Sequence, residues 1–185
     1  MKRVVFTWGR FNPPTIGHKK LLDNTARIAR YWGGDFFIYA TQTHKKPKDP
    51  LKFERKVEWM RQMFPEYANN IVYDPSVNTF IVLLQKLQVE YDEVVWVAGS
   101  DRVSAYKKIL EDYNGKEFYY HTYRCVSAGT RDPDAEGAAG MSASKMREAA
   151  KDIRTKDFEK GIPNSLSSKK KMELMKEVRN GMGLP

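Results

Sequence analysis

The residues best suited to chemistry lie close to the amino terminus, in Gly9-Arg10-Phe11-Asn12-Pro13-Pro14-Thr15-Ile16-Gly17-His18. An apolar run, Val4-Val5-Phe6, precedes them and a segment of helical spacing follows. Strand, Gly/Pro turn and helix in that order build a phosphate site. The first helical amides lack intrahelical acceptors, and the helix dipole adds partial positive charge there, so an anion is favoured. Thr15 can cap the helix, Gly17 lets a ligand approach the backbone, and His18 offers a ring N–H to a phosphate oxygen. Read alone, Thr-x-Gly-His is equally a capped turn with a surface histidine.

A second constellation is Met141-Ser142-Ala143-Ser144-Lys145-Met146-Arg147. Ser142 is a natural N-cap and Met141 can staple onto Met146, which makes this another helix start, with Ser144 and Lys145 near it and Arg147 one turn in. Two further pieces are the basic loop His44-Lys45-Lys46-Pro47 with Phe53-Glu54-Arg55 after it, and Gly99-Ser100-Asp101 behind the apolar run Val94 to Ala98. Asp101 suits a ribose hydroxyl or a helix cap.

The elements that must position these groups follow from periodicity. Strands are expected at residues 2–8, 35–41, 71–73, 94–98 and 118–123. Helices are expected at 16–31, 51–64, 79–89, 102–113 and 142–151, with a basic helical tail beyond. Val94-Val95-Trp96-Val97-Ala98 is apolar on both faces, as a central parallel strand should be. The alternation implies an α/β fold, a Rossmann-like doubly wound parallel sheet of strand order 3-2-1-4-5. That order brings the first motif and Gly99-Ser100-Asp101 to neighbouring strand ends, where ligands bind such sheets. The stretch from Cys125 to Gly140 is expected to be a long functional loop, a lid ordering on substrate. Residues 1–152 form the expected domain, and 153–185 a helical extension packed on it.

Composition narrows the function class. The chain of 185 residues carries a net charge of +9, which favours polyanions such as nucleotides. No apolar run is long enough for a transmembrane helix and no signal segment precedes the first strand. A single cysteine, Cys125, cannot form an internal disulfide, so a cytoplasmic location is expected. Residues 151–185 hold nine basic residues against five acidic ones, an excess small enough to disfavour nucleic acid as the partner.

Taken together, Gly-x-Phe-x-Pro-x-Thr-x-Gly-His and Ser-x-Ser-x-x-Arg resemble the nucleotidylyltransferase superfamily, with its HIGH-type motif. The resemblance implies transfer of a nucleoside monophosphate from a nucleoside triphosphate to a phosphorylated small molecule, with release of pyrophosphate. It implies His18, Lys45 and Thr15 as the catalytic set. Gly9, Arg10, Phe11, Thr15, Gly17, His18, Gly99, Ser100, Asp101, Ser142, Ser144 and Arg147 would contact the nucleotide. The basic loop is similar to the Lys-Lys-Pro…Glu-Glu-Arg stretch of phosphopantetheine adenylyltransferases, which implies Lys46 and Arg55 as acceptor contacts; extra residues here leave Lys45 and Lys46 interchangeable. Mg²⁺ is the implied cofactor, bridging phosphates without dedicated protein ligands. Gly9-Arg10-Phe11 looks most like nicotinamide mononucleotide (NMN) adenylyltransferases and favours ATP. CTP, as in cytidylyltransferases, is the alternative, and a non-catalytic nucleotide- or nucleic-acid-binding protein is an alternative of another class. A homo-oligomer is left open.

Overall fold

The computed structural model describes residues 1–129 and 141–185. Its strands are β1 (Arg3–Gly9), β2 (Asp35–Ala40), β3 (Glu93–Ala98) and β4 (Thr122–Ser127). Its helices are α1 (Ile16–Trp32), α2 (Phe53–Met63), α3 (Phe80–Leu87), α4 (Val103–Tyr113), α5 (Ala143–Lys151), α6 (Thr155–Lys160) and α7 (Ser168–Gly181). The described residues group into two compact units. One holds residues 1–8, 21–39 and 74–129, the other 9–20, 40–73 and 141–185. The helical tail, residues 153–185, falls in the same unit as both motifs.

The first unit is the sheet and its covering helices. Strand order is β2-β1-β3-β4, with β1 parallel to β3 and β3 parallel to β4. Val5 pairs with Val95 and Phe6 with Trp96, so apolar residues meet on both faces. Val4, Phe6, Val94 and Trp96 pack with Leu83, Leu84 and Leu110. Val5, Val95 and Val97 pack with Ile28 and Ala29. A strand buried on both faces has no polar alternation, which is why β1 and β3 were legible as central strands.

The α/β class and the parallel sheet agree with the sequence reading, whereas the strand order differs. The expected strand at 71–73 is absent from the sheet, so the order 3-2-1-4-5 loses its first member. Ile71 makes only an isolated bridge, and its carbonyl accepts from the Arg61 guanidinium at 2.8 Å. The expected strand at 118–123 begins at Thr122 instead. The Asn114 side chain accepts from the Tyr120 amide at 2.8 Å and donates to its carbonyl at 3.3 Å, replacing a ladder with a capped turn. Cys125 to Ser127, expected in a loop, are strand. Residues 130–140 of that loop, and with them most of the expected lid, lie outside the described residues. No helix among the described residues is long and apolar enough to cross a membrane.

In the second unit α5, α6 and α7 pack against one another around Met146, Ala150, Phe158 and Leu174, all buried. Much of the basic tail is engaged within this unit. Lys171 is buried and donates to the Glu159 carbonyl and the Asn164 side chain. Arg179 donates to the carbonyls of Ala150, Lys151 and Pro185. Lys170 pairs with Glu173 and Arg154 with Asp157.

Candidate active site

Leaving β1, the chain folds back sharply. Phe11 takes φ +46°, in the left-handed region that a bulky residue rarely adopts. Its buried ring lies back over Gly9, where a Cβ would stand 2.8 Å from the ring edge. That approach requires glycine. The Asn12–Pro13 peptide is cis. Buried Asn12 then clasps Leu51 in both directions: its side-chain carbonyl accepts from the Leu51 amide at 2.8 Å and its NH₂ donates to the Leu51 carbonyl at 3.2 Å.

Thr15 is fully buried and organises the next turn. Its Oγ1 accepts from the Gly17 amide at 3.1 Å and donates to the Met141 carbonyl at 2.7 Å. Its own amide donates to His18 Nδ1 at 2.9 Å. The Phe11 ring meets the imidazole edge-on, with centroids 4.8 Å apart. An Nδ1 that accepts carries no proton, so the neutral ring carries its proton on Nε2, and that nitrogen is the donor. Two neighbours thereby set both tautomer and ring orientation.

The entry to α1 differs from the sequence expectation of amides open to a ligand. The Ile16 amide donates to the Gly161 carbonyl at 2.8 Å, the Gly17 amide to Thr15 Oγ1, and the His18 amide to the Thr15 carbonyl at 3.0 Å. The reason is local: Gly161 has no side chain, and a Cβ there would collide with Met146 Sδ at 2.1 Å. Its backbone can therefore reach the helix start. These three amides are engaged within the chain.

The second motif brings further side chains to this unit. Ser142 caps α5, its Oγ accepting from the Lys145 amide at 3.2 Å. Arg147 donates through Nη1 to the Asn12 carbonyl at 2.8 Å and through Nη2 to Ser144 Oγ at 3.2 Å. Burial, with Arg10 nearby, draws its guanidinium below the ordinary range, and Asp49 opposes that. Arg10 grips Asp49 through Nε and Nη2 at 3.0–3.1 Å. Asp49 is 5% exposed. Beneath them Lys56 is fully buried, its Nζ donating to the Arg10 carbonyl at 2.6 Å. Burial pushes this amine down to about 8.

The structure thus links Gly9, Arg10, Phe11, Thr15, Gly17 and His18 with Ser142, Ser144 and Arg147 by named contacts. Lys45 closes a small loop, its backbone exchanging hydrogen bonds with Asp49 at 3.1 and 2.7 Å. The Lys45 and Lys46 side chains are exposed, and the Lys46–Pro47 peptide is cis. Arg55 pairs with Glu58 and, at 2.5 Å, with Glu177 of α7. Gly99, Ser100 and Asp101 belong to the sheet unit, beyond β3. The N-cap of α4 is Arg102, without a side-chain cap bond, so Asp101 is not the cap. Sequence reasoning missed Asn12, Asp49, Lys56 and Glu177. Lys56 left one signal, a lysine sharing a helix face with Phe53, Val57 and Met60.

A family profile described as cytidylyltransferase-like matches residues 6–149, spanning both motifs. The chain belongs to that family. The superfamily resemblance of the two motifs is borne out. Two relatives of this cytidylyltransferase-like chain carry the name probable nicotinate-nucleotide adenylyltransferase. The one from Acholeplasma laidlawii is 24% identical over 180 residues, 88% of each chain. The one from Fervidobacterium nodosum is 25% identical over 134 residues, 67% of this chain and 60% of the relative. The fold is similar to that of a bifunctional NMN adenylyltransferase/ADP ribose pyrophosphatase from Francisella tularensis, with a TM-score of 0.52 at 15% identity. That match covers 99% of this chain and spans about half, 53%, of the larger protein.

Proposed function

We propose that this chain is an adenylyltransferase acting on a pyridine mononucleotide, nicotinate mononucleotide or NMN. A phosphate oxygen of the acceptor attacks the α-phosphorus of ATP, a new P–O bond forms, the bond to the bridging α–β oxygen breaks, and pyrophosphate leaves. The acceptor oxygen is already anionic, so no general base is required. Catalysis then consists of positioning and of stabilising charge at the five-coordinate phosphorus.

The observation that carries the reading is the pinned imidazole. With Nδ1 held by the Thr15 amide, the Nε2–H is a preorganised donor for a phosphate oxygen. Lys45 is assigned to the transferring phosphate as well. Arg147 keeps guanidinium donors beyond the two it uses, and with the Ser142 and Ser144 hydroxyls it would hold the distal phosphates. Thr15 acts as a positioning residue. Mg²⁺, the cofactor that the motif resemblance implies, would supply neutralisation of the charge on the leaving pyrophosphate.

The adenylyl assignment draws on the relatives' names and on Gly9-Arg10-Phe11; the family's own description favours CTP as the second reading. Pyrophosphate release with ATP and CTP, each with nicotinate mononucleotide and NMN, decides between them. ATP with one of these acceptors is the expected pair, and a kcat/KM preference for CTP overturns the adenylyl assignment. His18→Ala should lower kcat by roughly 10²–10³ with little change in ATP affinity. An unchanged kcat removes the imidazole from the reaction.

A further inference from the structure

A second concavity lies in the same unit as the motifs. It is a cavity of about 510 Å³ formed by the loop from His44 to Lys52, the start of α2 and the last turns of α7. Its cationic lining is Lys46, Lys52 and Arg55, with the His44 ring beside them, and the carboxylate among its lining residues is Glu177. Both Glu177 oxygens are taken, one by Arg55 at 2.5 Å and the other by Trp59 Nε1 at 2.8 Å. Arg55 is likewise committed, to Glu58 and Glu177. His44, Lys46 and Lys52 have no acidic partner among the described residues, which leaves the cavity positive. Asn180 adds an amide whose side chain makes no hydrogen bond among them.

The walls are fixed. A Cβ on Gly181 would stand 2.0 Å from the Pro50 carbonyl oxygen, so α7 sits in backbone contact with the loop. Leu51, on the cavity lining, is clasped by Asn12, whose carbonyl takes Arg147. A three-residue chain of hydrogen bonds therefore joins the cavity to the second motif.

We infer that this cavity is the acceptor pocket and that α7 determines its specificity. The acceptor's phosphate end lies among His44, Lys46 and Lys52, and Asn180 reads its uncharged polar part. The assignment deepens the transferase reading above and depends on it only for the identity of the acceptor. The carboxamide or carboxylate of a pyridine mononucleotide is a group that an asparagine amide can recognise, since it both donates and accepts.

Direct calorimetric titration of the full chain tests this with four probes: ribose 5-phosphate, NMN, nicotinamide riboside and ATP. Lys46→Ala/Lys52→Ala should weaken ribose 5-phosphate and NMN by about tenfold or more, the weight of a charge-assisted contact, while the riboside and ATP change little. Asn180→Leu should weaken NMN and leave ribose 5-phosphate as in the wild type. Turnover should show the same division, with acceptor KM raised and ATP KM unmoved. Wild-type chain that binds no ribose 5-phosphate, or a double variant that binds it normally, overturns the assignment. Binding of ribose 5-phosphate that is lost in the double variant, without turnover of any mononucleotide, keeps the pocket and rejects the transferase reading instead.

Discussion

Thr15 donates its hydroxyl proton to the carbonyl of Met141, a residue 126 positions further along the chain, at 2.7 Å. The same oxygen accepts from Gly17, and the same residue's amide sets the His18 ring. One buried threonine therefore holds the helix start, the imidazole tautomer and the entry to the second motif. Thr15→Val is nearly isosteric but leaves the Gly17 amide and the Met141 carbonyl without this partner. Unmet buried groups cost about 1–3 kcal/mol, so urea unfolding should show a loss in that range. Thr15→Ser keeps the hydroxyl and should recover most of it. Equal stability for the Val and Ser variants would mean that the hydroxyl ties nothing together.

Gly9 and Phe11 stand in close steric contact within the first motif. Gly9→Ala places a methyl 2.8 Å from a fully buried ring whose backbone is already in the left-handed region. Overpacking of this kind costs about 1–3 kcal/mol, and the ring that yields is the one touching His18. Melting temperature and kcat should fall together in Gly9→Ala. The smaller side chain of Phe11→Leu, added to Gly9→Ala, should restore stability more than activity. An alanine variant as stable and active as the wild type would show that the ring does not need glycine beneath it.

Arg147 reaches Asn12 with one nitrogen and Ser144 with another, so the planar fork sits across both motifs. Lysine keeps the charge but cannot span two partners and a phosphate at once. Arg147→Lys should weaken ATP by roughly 10–100-fold and AMP by less than about twofold, as measured by titration of each nucleotide. Equal losses for ATP and AMP would assign Arg147 to the scaffold alone.

These relationships were unequally legible in the chain. Both motifs could be read because each is a local device, a capped helix start with its functional groups within one turn. β1 and β3 could be read because burial on both faces leaves a continuous apolar run. The ties between Asn12 and Leu51, Arg10 and Asp49, and Ile16 and Gly161 join residues far apart in sequence, and no periodicity encodes them. The strand expected at 118–123 was misplaced for a related reason. Phe118 and Tyr120 alternate like a strand and are buried, but Asn114 supplies the hydrogen bonds that a neighbouring strand would have given. The role of α7 was illegible because its pocket residues, Glu177, Asn180 and Gly181, look like any solvated helix end until Pro50 is found against them.

Lys56 links the fold to pH. Its amine is fully buried and donates to the Arg10 carbonyl, and burial lowers it from about 10.5 to about 8, while Asp49 pulls the other way. Between those two values the unfolded chain holds a proton that the folded chain has released. Stability must then rise with pH across that window, by at most ~1.4 kcal/mol per pH unit and ~3 kcal/mol in total. Below about pH 7 both states are protonated and the contribution is flat, with the cost of the buried charge fully present. Lys56→Met fills the same space without a titrating group, so other ionisations cancel when the two proteins are compared. The wild type minus Lys56→Met difference in unfolding free energy should therefore climb from about pH 7.5 to pH 10 in favour of the wild type, as read from urea midpoints. Because ammonium and amine both donate to the Arg10 carbonyl, the first motif should keep its shape, and ATP affinity of the wild type should not follow this titration. A difference curve that stays level over the window would show that Lys56 carries its charge with ordinary ease, and that Asp49 offsets both its burial and the Arg10 charge in full.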